Sequence, residues 1–395
     1  MEESKMPELK DFFKMNPDGS MYIEVNGNRI DFELMQEAPE NPEIGKNYKI
    51  SPEGLVGGFG AKVYGAARKG SENKLMVVFL GGGVALNEHM AVRPFSENGR
   101  DEEGGYWSDD CGATTDIIMN VGLLAKTEVN PFRNWSVIFL PYNTGDFHTG
   151  TGDLETIDLD GNPRTVHFHG YTNYRAITEQ AKRLFRFEPD EVLVTGCSGG
   201  AFGTALLTGD VLELFPSAKK CYCVPDSAIM RLPENQEVAR GLWKTPEHIW
   251  RNMTGDEFVL PPMLNLKKKY GERVQLLYVS SIRDGALASF VGKDITYTNN
   301  HATKAQCDGL QEEFREFLEA LLENDPTAGA YFFDAPDYQY VPNNDENIHA
   351  TQHTILLSFS AFTIRTEGKT VLEWLYDAVN GKAEVIGKAL LEGKL

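Results

Sequence analysis

Six short apolar runs, each closed by turn residues and separated from the next by a longer amphipathic stretch, constrain this chain more than any other feature. They are LMVVFL at 75–80, WSVIFLPY at 135–142, EVLVTG at 191–196, CYCVP at 221–225, VQLLYVS at 274–280 and AYFFD at 330–334. Runs this short, rich in β-branched and aromatic residues, read as strands buried on both faces. At 174–187, 200–215 and 305–323 apolar positions instead recur three and four apart, as in a helix with one buried face. Strands alternating with helices predict a mainly parallel central sheet covered on both sides, with ligands gathering at the carboxyl ends of its strands. Upstream, MYIEV, a turn at Asn26-Gly27-Asn28 and RIDFEL predict a hairpin. The expected organisation is a β-hairpin extension over residues 1–70 packed on one elaborated α/β domain over 71–395.

Charge narrows the partners. The chain carries 38 Lys and Arg against 58 Asp and Glu, a formal net charge of −20, which repels polyphosphates and anionic lipid heads. Its densest basic run, Lys267-Lys268-Lys269, reads as the polar end of a helix. No nucleic-acid or membrane partner is expected. The first residues lack a continuous apolar core and no stretch of about 18 apolar residues follows, so a cytoplasmic location is expected. Five cysteines spread over 395 residues suit reduced thiols better than a disulfide framework.

The strongest chemical signal is EVLVTGCSGGAFGTALL. Gly196-Cys197-Ser198-Gly199-Gly200 fits G-x-S-x-G at the junction of a strand and a helix of small residues. A serine on so sharp a turn needs glycines two positions either side, because a Cβ there would strike the neighbouring strand or the helix. The helix N-terminus then favours negative charge developing on a substrate. Cys197 is a rival nucleophile, but two positions before it stands Thr195, not glycine; it reads as a buried thiol.

A serine hydroxyl needs a histidine to take its proton and an acid to orient that histidine. In the α/β-hydrolase chain order, serine comes first, then the acid, then histidine. Downstream of Ser198, His248 precedes the acid candidate and His301 lies in a polar insert, leaving His349 and His353 in NIHATQHTILL. His353, adjoining an apolar segment that can anchor it, is preferred over His349. For the acid, Asp284 in YVSSIRDGALASF ends the second strand after that of the nucleophile. Asp226 in CVPDSAIM ends the first and suits holding a loop by hydrogen bonds. Gly81-Gly82-Gly83 in VVFLGGGVAL lets the chain aim amides inward, so the expected oxyanion donors are the N–H groups of Gly83, Val84 and Gly199.

Other motifs weigh less. Asn143, Asp146 and His148, in the loop after a strand, suit either substrate binding or bracing of that loop. Residues 159–162, with Asp153 and Asp158 nearby, resemble part of a calcium loop, but Thr156 replaces the first ligand and the closing Glu is missing; they read as a hairpin turn. His167 and His169 share a strand face, yet spacing suggests no third zinc ligand. Cys221 and Cys223 share a face without a partner pair. No metal or organic cofactor is expected.

Taken in order, FLGGGVAL, DDCGATTD, IFLPYNTGDFHTG, VTGCSGGAFG, VPDS, SSIRDGALASF and QHTIL resemble the pectin acetylesterase/Notum-like family of α/β-hydrolases over about residues 75–380. The resemblance implies a cofactor-free carboxylesterase removing short acyl groups from an alcohol or carbohydrate, with Ser198 as nucleophile, Asp284 as acid, His353 as base, and Gly83, Val84 and Gly199 as oxyanion donors. A polyester depolymerase, a peptidase or a non-catalytic binding protein on the same scaffold are the alternatives.

Overall fold

The computed structural model of the chain describes residues 14–16, 21–25, 28–32, 34–100, 103–110, 112–291 and 302–393. Its centre is a ten-stranded sheet. From one edge to the other run Val385–Ile386, Gly329–Phe333, Val274–Ser281, Lys220–Asp226, Glu191–Cys197, Lys74–Phe79, Ser136–Leu140, Gly65–Arg68, Asn47–Ile50 and Gln36–Glu37. Each of the six apolar runs forms one of these strands. All neighbours pair parallel except on the two sides of Gly65–Arg68, which runs against both Ser136–Leu140 and Asn47–Ile50.

Alternate residues of each strand feed separate cores, because successive side chains of a strand point to opposite faces. Val192 and Val194 join one core with Ile177 and Ala181 of the helix Gly170–Phe185, Val211 of Gly199–Leu214, and Phe314 and Leu318 of Lys304–Asn324. Leu193 joins the other, with Leu372, Trp374 and Leu375 of the helix Val371–Val379. The sheet is therefore covered on both faces.

The helices expected at 174–187, 200–215 and 305–323 form with shifted ends. Lys304–Asn324 begins with a capping box in which Thr303 and Gln306 satisfy each other's backbone N–H groups. The helix Gly199–Leu214 is buried on nearly every side, which its small residues permit by letting it press against the sheet. The lysine run does close a helix, Leu260–Tyr270.

Three elements correct or extend the sequence reading. Strands Gln36–Glu37, Asn47–Ile50 and Gly65–Arg68, all before residue 70, belong to the central sheet at one of its edges. The strands Met21–Val25 and Asn28–Phe32 do pair antiparallel as a hairpin, with Asn26 and Gly27 outside the described residues. A second hairpin, Gly152–Ile157 with Pro163–Phe168, precedes Gly170–Phe185; Asp158 holds its turn by accepting the N–H groups of Asp160 and Asn162 at 3.0 and 2.9 Å. Among the described residues no helix is long and apolar enough to cross a membrane, and Cys197, Cys221, Cys223 and Cys307 are free thiols.

Trp374 is fully buried and donates from Nε1 to the carbonyl of Glu384 at 2.9 Å. Trp374→Ala is expected to lower stability by about 3–5 kcal/mol through the cavity it leaves, read as a lower urea midpoint at unchanged slope. A loss below about 1 kcal/mol would mean that its helix lies outside the cooperative core.

Candidate active site

Ser198 sits between the strand Glu191–Cys197 and the helix Gly199–Leu214 with φ 54° and ψ −126°, a strained conformation for a residue bearing a Cβ. Its surroundings enforce this. A Cβ on Gly200 would lie 2.0 Å from the carbonyl oxygen of Phe79, and one on Gly196 would lie 2.4 Å from that of Gly200. The two glycines let the helix start against the end of the neighbouring strand, and the turn leaves the serine no relaxed alternative. The N–H of Ser198 donates to the carbonyl of Asp226 at 3.0 Å, tying the turn to the next strand.

Asp284 follows the strand Val274–Ser281 and is wholly buried. One oxygen caps the helix Gly285–Ala288, accepting the N–H groups of Ala286 and Leu287 at 3.0 and 2.9 Å. The same carboxylate takes His353 Nδ1, at 2.9 Å on Oδ1 and 2.7 Å on Oδ2. Capping and histidine orientation thus coexist in one side chain. Burial opposes the charged imidazole, but the charge and hydrogen bond of Asp284, with the charges of Asp226 and Asp337, outweigh it and raise the pKa of His353 above 6.5.

Two hydrogen-bonded clamps hold the histidine loop. On one side, Thr351 bridges to Asp284: the Thr351 N–H donates to the carbonyl of Arg283, and the Gly285 N–H donates to the carbonyl of Thr351, both at 3.0 Å. Arg283 extends this clamp with its guanidinium on the carbonyls of His349 and Ile348. On the other side, Asp226 Oδ2 accepts the N–H groups of Ile355 and Leu356 at 2.8 and 2.7 Å, and Ser227 Oγ accepts that of Thr354 at 3.1 Å. Asp226 therefore holds a loop, the role its position suggested. Arg283 and Thr351 escaped sequence reading; a buried arginine beside a strand-end acid is the signal that could have found them.

Ser198 and His353 open on one cavity of about 460 Å³, lined also by Gly81, Gly82, Gly83, Phe95, Asn98, Leu287, Phe290 and Tyr340. Among the described residues no hydrogen bond joins the Ser198 hydroxyl to the ring; such contacts often tighten only when substrate binds. His349 is elsewhere, half-exposed with Nε2 on the carboxylate of Asp334 at 3.0 Å. His248 rims a separate hollow of about 300 Å³ beside Asp210 and Tyr171, and His301 lies outside the described residues. Cys197 is no rival, since burial pushes its thiol up to about 12.

The glycine triplet packs on the elbow: a Cβ on Gly81 would lie 2.2 Å from the carbonyl oxygen of Cys197. Gly83 has φ +74°, and the N–H of Gly199, at the helix start, lies beyond the intrahelical ladder. Val84 departs from expectation, because its N–H donates to the carbonyl of Tyr106 at 3.0 Å and is spent there.

Asn143, Asp146 and His148 are buried and absent from this cavity's lining; the loop-bracing reading fits Asp146 and His148, whereas Asn143 Nδ2 is buried without a hydrogen-bond partner. Asp146 accepts Thr144 Oγ1 and the N–H groups of His148, Gly150 and Gly170. His148 Nε2 meets the carbonyl of Leu80 at 2.8 Å, and burial lowers its pKa to about 4, so the neutral ring donates there. It fixes the chain just before the glycine triplet from behind.

With this geometry established, comparison with known proteins gives two findings. The pectinacetylesterase family model matches residues 62–243. Pectin acetylesterase 11 of Arabidopsis thaliana is 27% identical over 141 residues, covering 32% of this chain and 35% of that protein; the match spans about a third of the relative's length. The sequence resemblance to the family thus holds over the region carrying the glycine triplet and Ser198. Asp284 and His353 lie beyond the span matched by the family model.

Asp284→Asn removes the charge that outweighs burial at His353, so its pKa is expected to fall relative to the wild type, measured by NMR titration of the ring. The folded value exceeds that of an unfolded histidine, so the pair's contribution to stability is complete below pH 6.5 and is lost as pH rises through the folded value. An unshifted ring in the variant would disprove the pairing.

Proposed function

We propose that this chain is a serine carboxylesterase built on the α/β-hydrolase arrangement, releasing acetyl or other short acyl groups from an alcohol or carbohydrate. The observation that carries the proposal is a buried imidazole gripped by Asp284 and opening, on its other side, into the cavity that contains a strained Ser198. The strand order supports the fold assignment. From Asn47–Ile50 to Gly329–Phe333 the eight strands lie in the order 1-2-4-3-5-6-7-8 of their appearance, with only the second reversed, and the serine turn follows the fifth. The partial match to pectinacetylesterases favours an acetyl ester.

Ser198 Oγ attacks the ester carbonyl while His353 Nε2 takes its proton; Asp284, on Nδ1, stabilises the imidazolium. The tetrahedral oxyanion is received by the N–H groups of Gly199 and Gly83, reinforced by the start of a well-buried helix. His353 then returns the proton to the departing alkoxide, leaving an acyl-serine. Water attacks that intermediate with the same histidine as base, freeing the acid and restoring Ser198. A second cavity of about 1040 Å³ shares Gln339, His353 and Thr354 with the first, giving room for an alcohol portion larger than the acyl group. The net charge of −20 favours neutral esters over polyanionic ones.

The wild type is expected to hydrolyse p-nitrophenyl acetate and to be labelled by a fluorophosphonate probe. Ser198→Ala should abolish labelling and reduce kcat by at least about 10³-fold, as losses of a nucleophile or its base typically do. His353→Ala should do the same to turnover, whereas His349→Ala keeps most of it. Correctly folded wild type that neither hydrolyses short esters nor takes the probe would refute the proposal; loss at His349 with retention at His353 would refute the assignment of the base.

A further inference from the structure

The hairpin Gly152–Ile157 with Pro163–Phe168 gathers a second cluster of chemically capable side chains outside the cavity of Ser198. Its antiparallel register places His167 directly opposite Asp153, so the two side chains stand on one face as close cross-strand neighbours. His169 is two positions beyond His167, just past the strand end at the start of the next helix. The three converge. Asp153 Oδ1 lies 2.7 Å from His167 Nδ1 and 2.9 Å from His169 Nε2. The two ring centroids are 5.3 Å apart at 62°, and one nitrogen of each ring and a carboxylate oxygen all fall within 4.8 Å of one another. Two histidines one residue apart suggest no third ligand from spacing alone; the strand pairing supplies it from fourteen positions upstream.

We propose that Asp153, His167 and His169 bind a first-row divalent transition metal ion, with zinc the best fit, which cross-links the base of this hairpin. Two imidazoles and one carboxylate form a borderline donor set suited to zinc and its neighbours, whereas calcium and magnesium take oxygen ligands. Bonds near 2.0–2.2 Å to a tetrahedral ion bring ligand atoms roughly 3.3 Å apart. The two contacts of Asp153, 2.7 and 2.9 Å, are a few tenths of an ångström shorter and no pair exceeds 4.8 Å; all three side chains are partly exposed, so small rotations reach that spacing.

The backbone beneath is already fixed. Asp146, buried, accepts the N–H groups of Gly150 and Gly170 on one oxygen at 3.2 and 2.8 Å, closing the hairpin just below the cluster. Asp153 and His169 follow and precede those two glycines by three residues and one, so an ion would add a second tie next to a rigid first. Little ordering cost then falls on the ion, and the chain's negative charge concentrates cations near it.

The test uses the whole chain stripped of metal by a chelator. Calorimetric titration with zinc is expected to show one equivalent bound, and cobalt to give visible absorption bands of a low-coordinate nitrogen–oxygen site. His167→Ala and Asp153→Asn should each weaken zinc binding by at least about tenfold and abolish the rise in melting temperature that zinc gives the wild type. Circular dichroism verifies that the variants fold. If one does not, X-ray absorption of the zinc-loaded wild type decides, two imidazole ligands supporting the site and fewer overturning it. No saturable binding by the wild type, or equal binding by the wild type and both variants, also overturns it. The outcome is separate from ester hydrolysis, because none of the three residues lines the cavity of Ser198.

Discussion

Asp226 is the residue on which the remainder of the site depends. Its backbone carbonyl receives the N–H of Ser198, and its carboxylate receives those of Ile355 and Leu356 beyond His353. One strand end thus holds the serine turn and the histidine loop, which come from segments more than 150 residues apart. A buried carboxyl without partners would be expensive, and the two loop N–H groups exist in that loop only if something nearby accepts them. Burial nevertheless dominates and lifts this carboxyl's pKa to about 6. Breaking the arrangement would orphan donors on one side and an acid on the other, so loop position and strand end are fixed together.

What the sequence discloses about this site follows how local each constraint is. The glycines at 196 and 200 are demanded by collisions within a few residues of Ser198, and the structure shows those collisions with Phe79 and Gly200. Asp284 and His353 were accessible through chain order and strand ends. The status of Val84 was not: whether its amide is free depends on Tyr106, which no nearby pattern announces. Asp146 and His148 sit in a loop of mixed polarity, and only the packing of Gly150, Gly170 and Leu80 around them turns that loop inward.

The sheet shows the same division. Six strands are apolar runs and declare themselves, but Gly65–Arg68 reads GAAR and has no such run. It is wholly buried because its neighbours press closely: a Cβ on Gly65 would lie 2.4 Å from Cγ2 of Ile177. Small residues here are a consequence of tertiary contact, and at the strand's polar end Arg68 reaches the carbonyl of Leu124 and the side chain of Asn47 through one guanidinium nitrogen, the other two being buried without partners. Burial still lowers the pKa of that guanidinium to about 10. Strand assignment from hydrophobicity therefore misses this strand, although it lies within the central sheet.

The acids around His353 set how strongly its imidazole holds a proton and how much of it is neutral. Asp284 contacts the ring directly, while Asp226 and Asp337 act through charge, and burial works against all three. A raised pKa makes the neutral imidazole a better proton acceptor, yet leaves less of it neutral near pH 7. Burial also raises the pKa values of Asp226 and Asp337, so their own charges fade as pH falls toward the acid range. Protonation of the ring and of these carboxyls is therefore coupled: each proton gained by an acid reduces the field holding the next one on His353. Such coupling broadens the titration of the site into steps that belong to the group, not to one residue. Asp284, which accepts two helix N–H groups as well as the ring nitrogen, is the member that orients the imidazole directly.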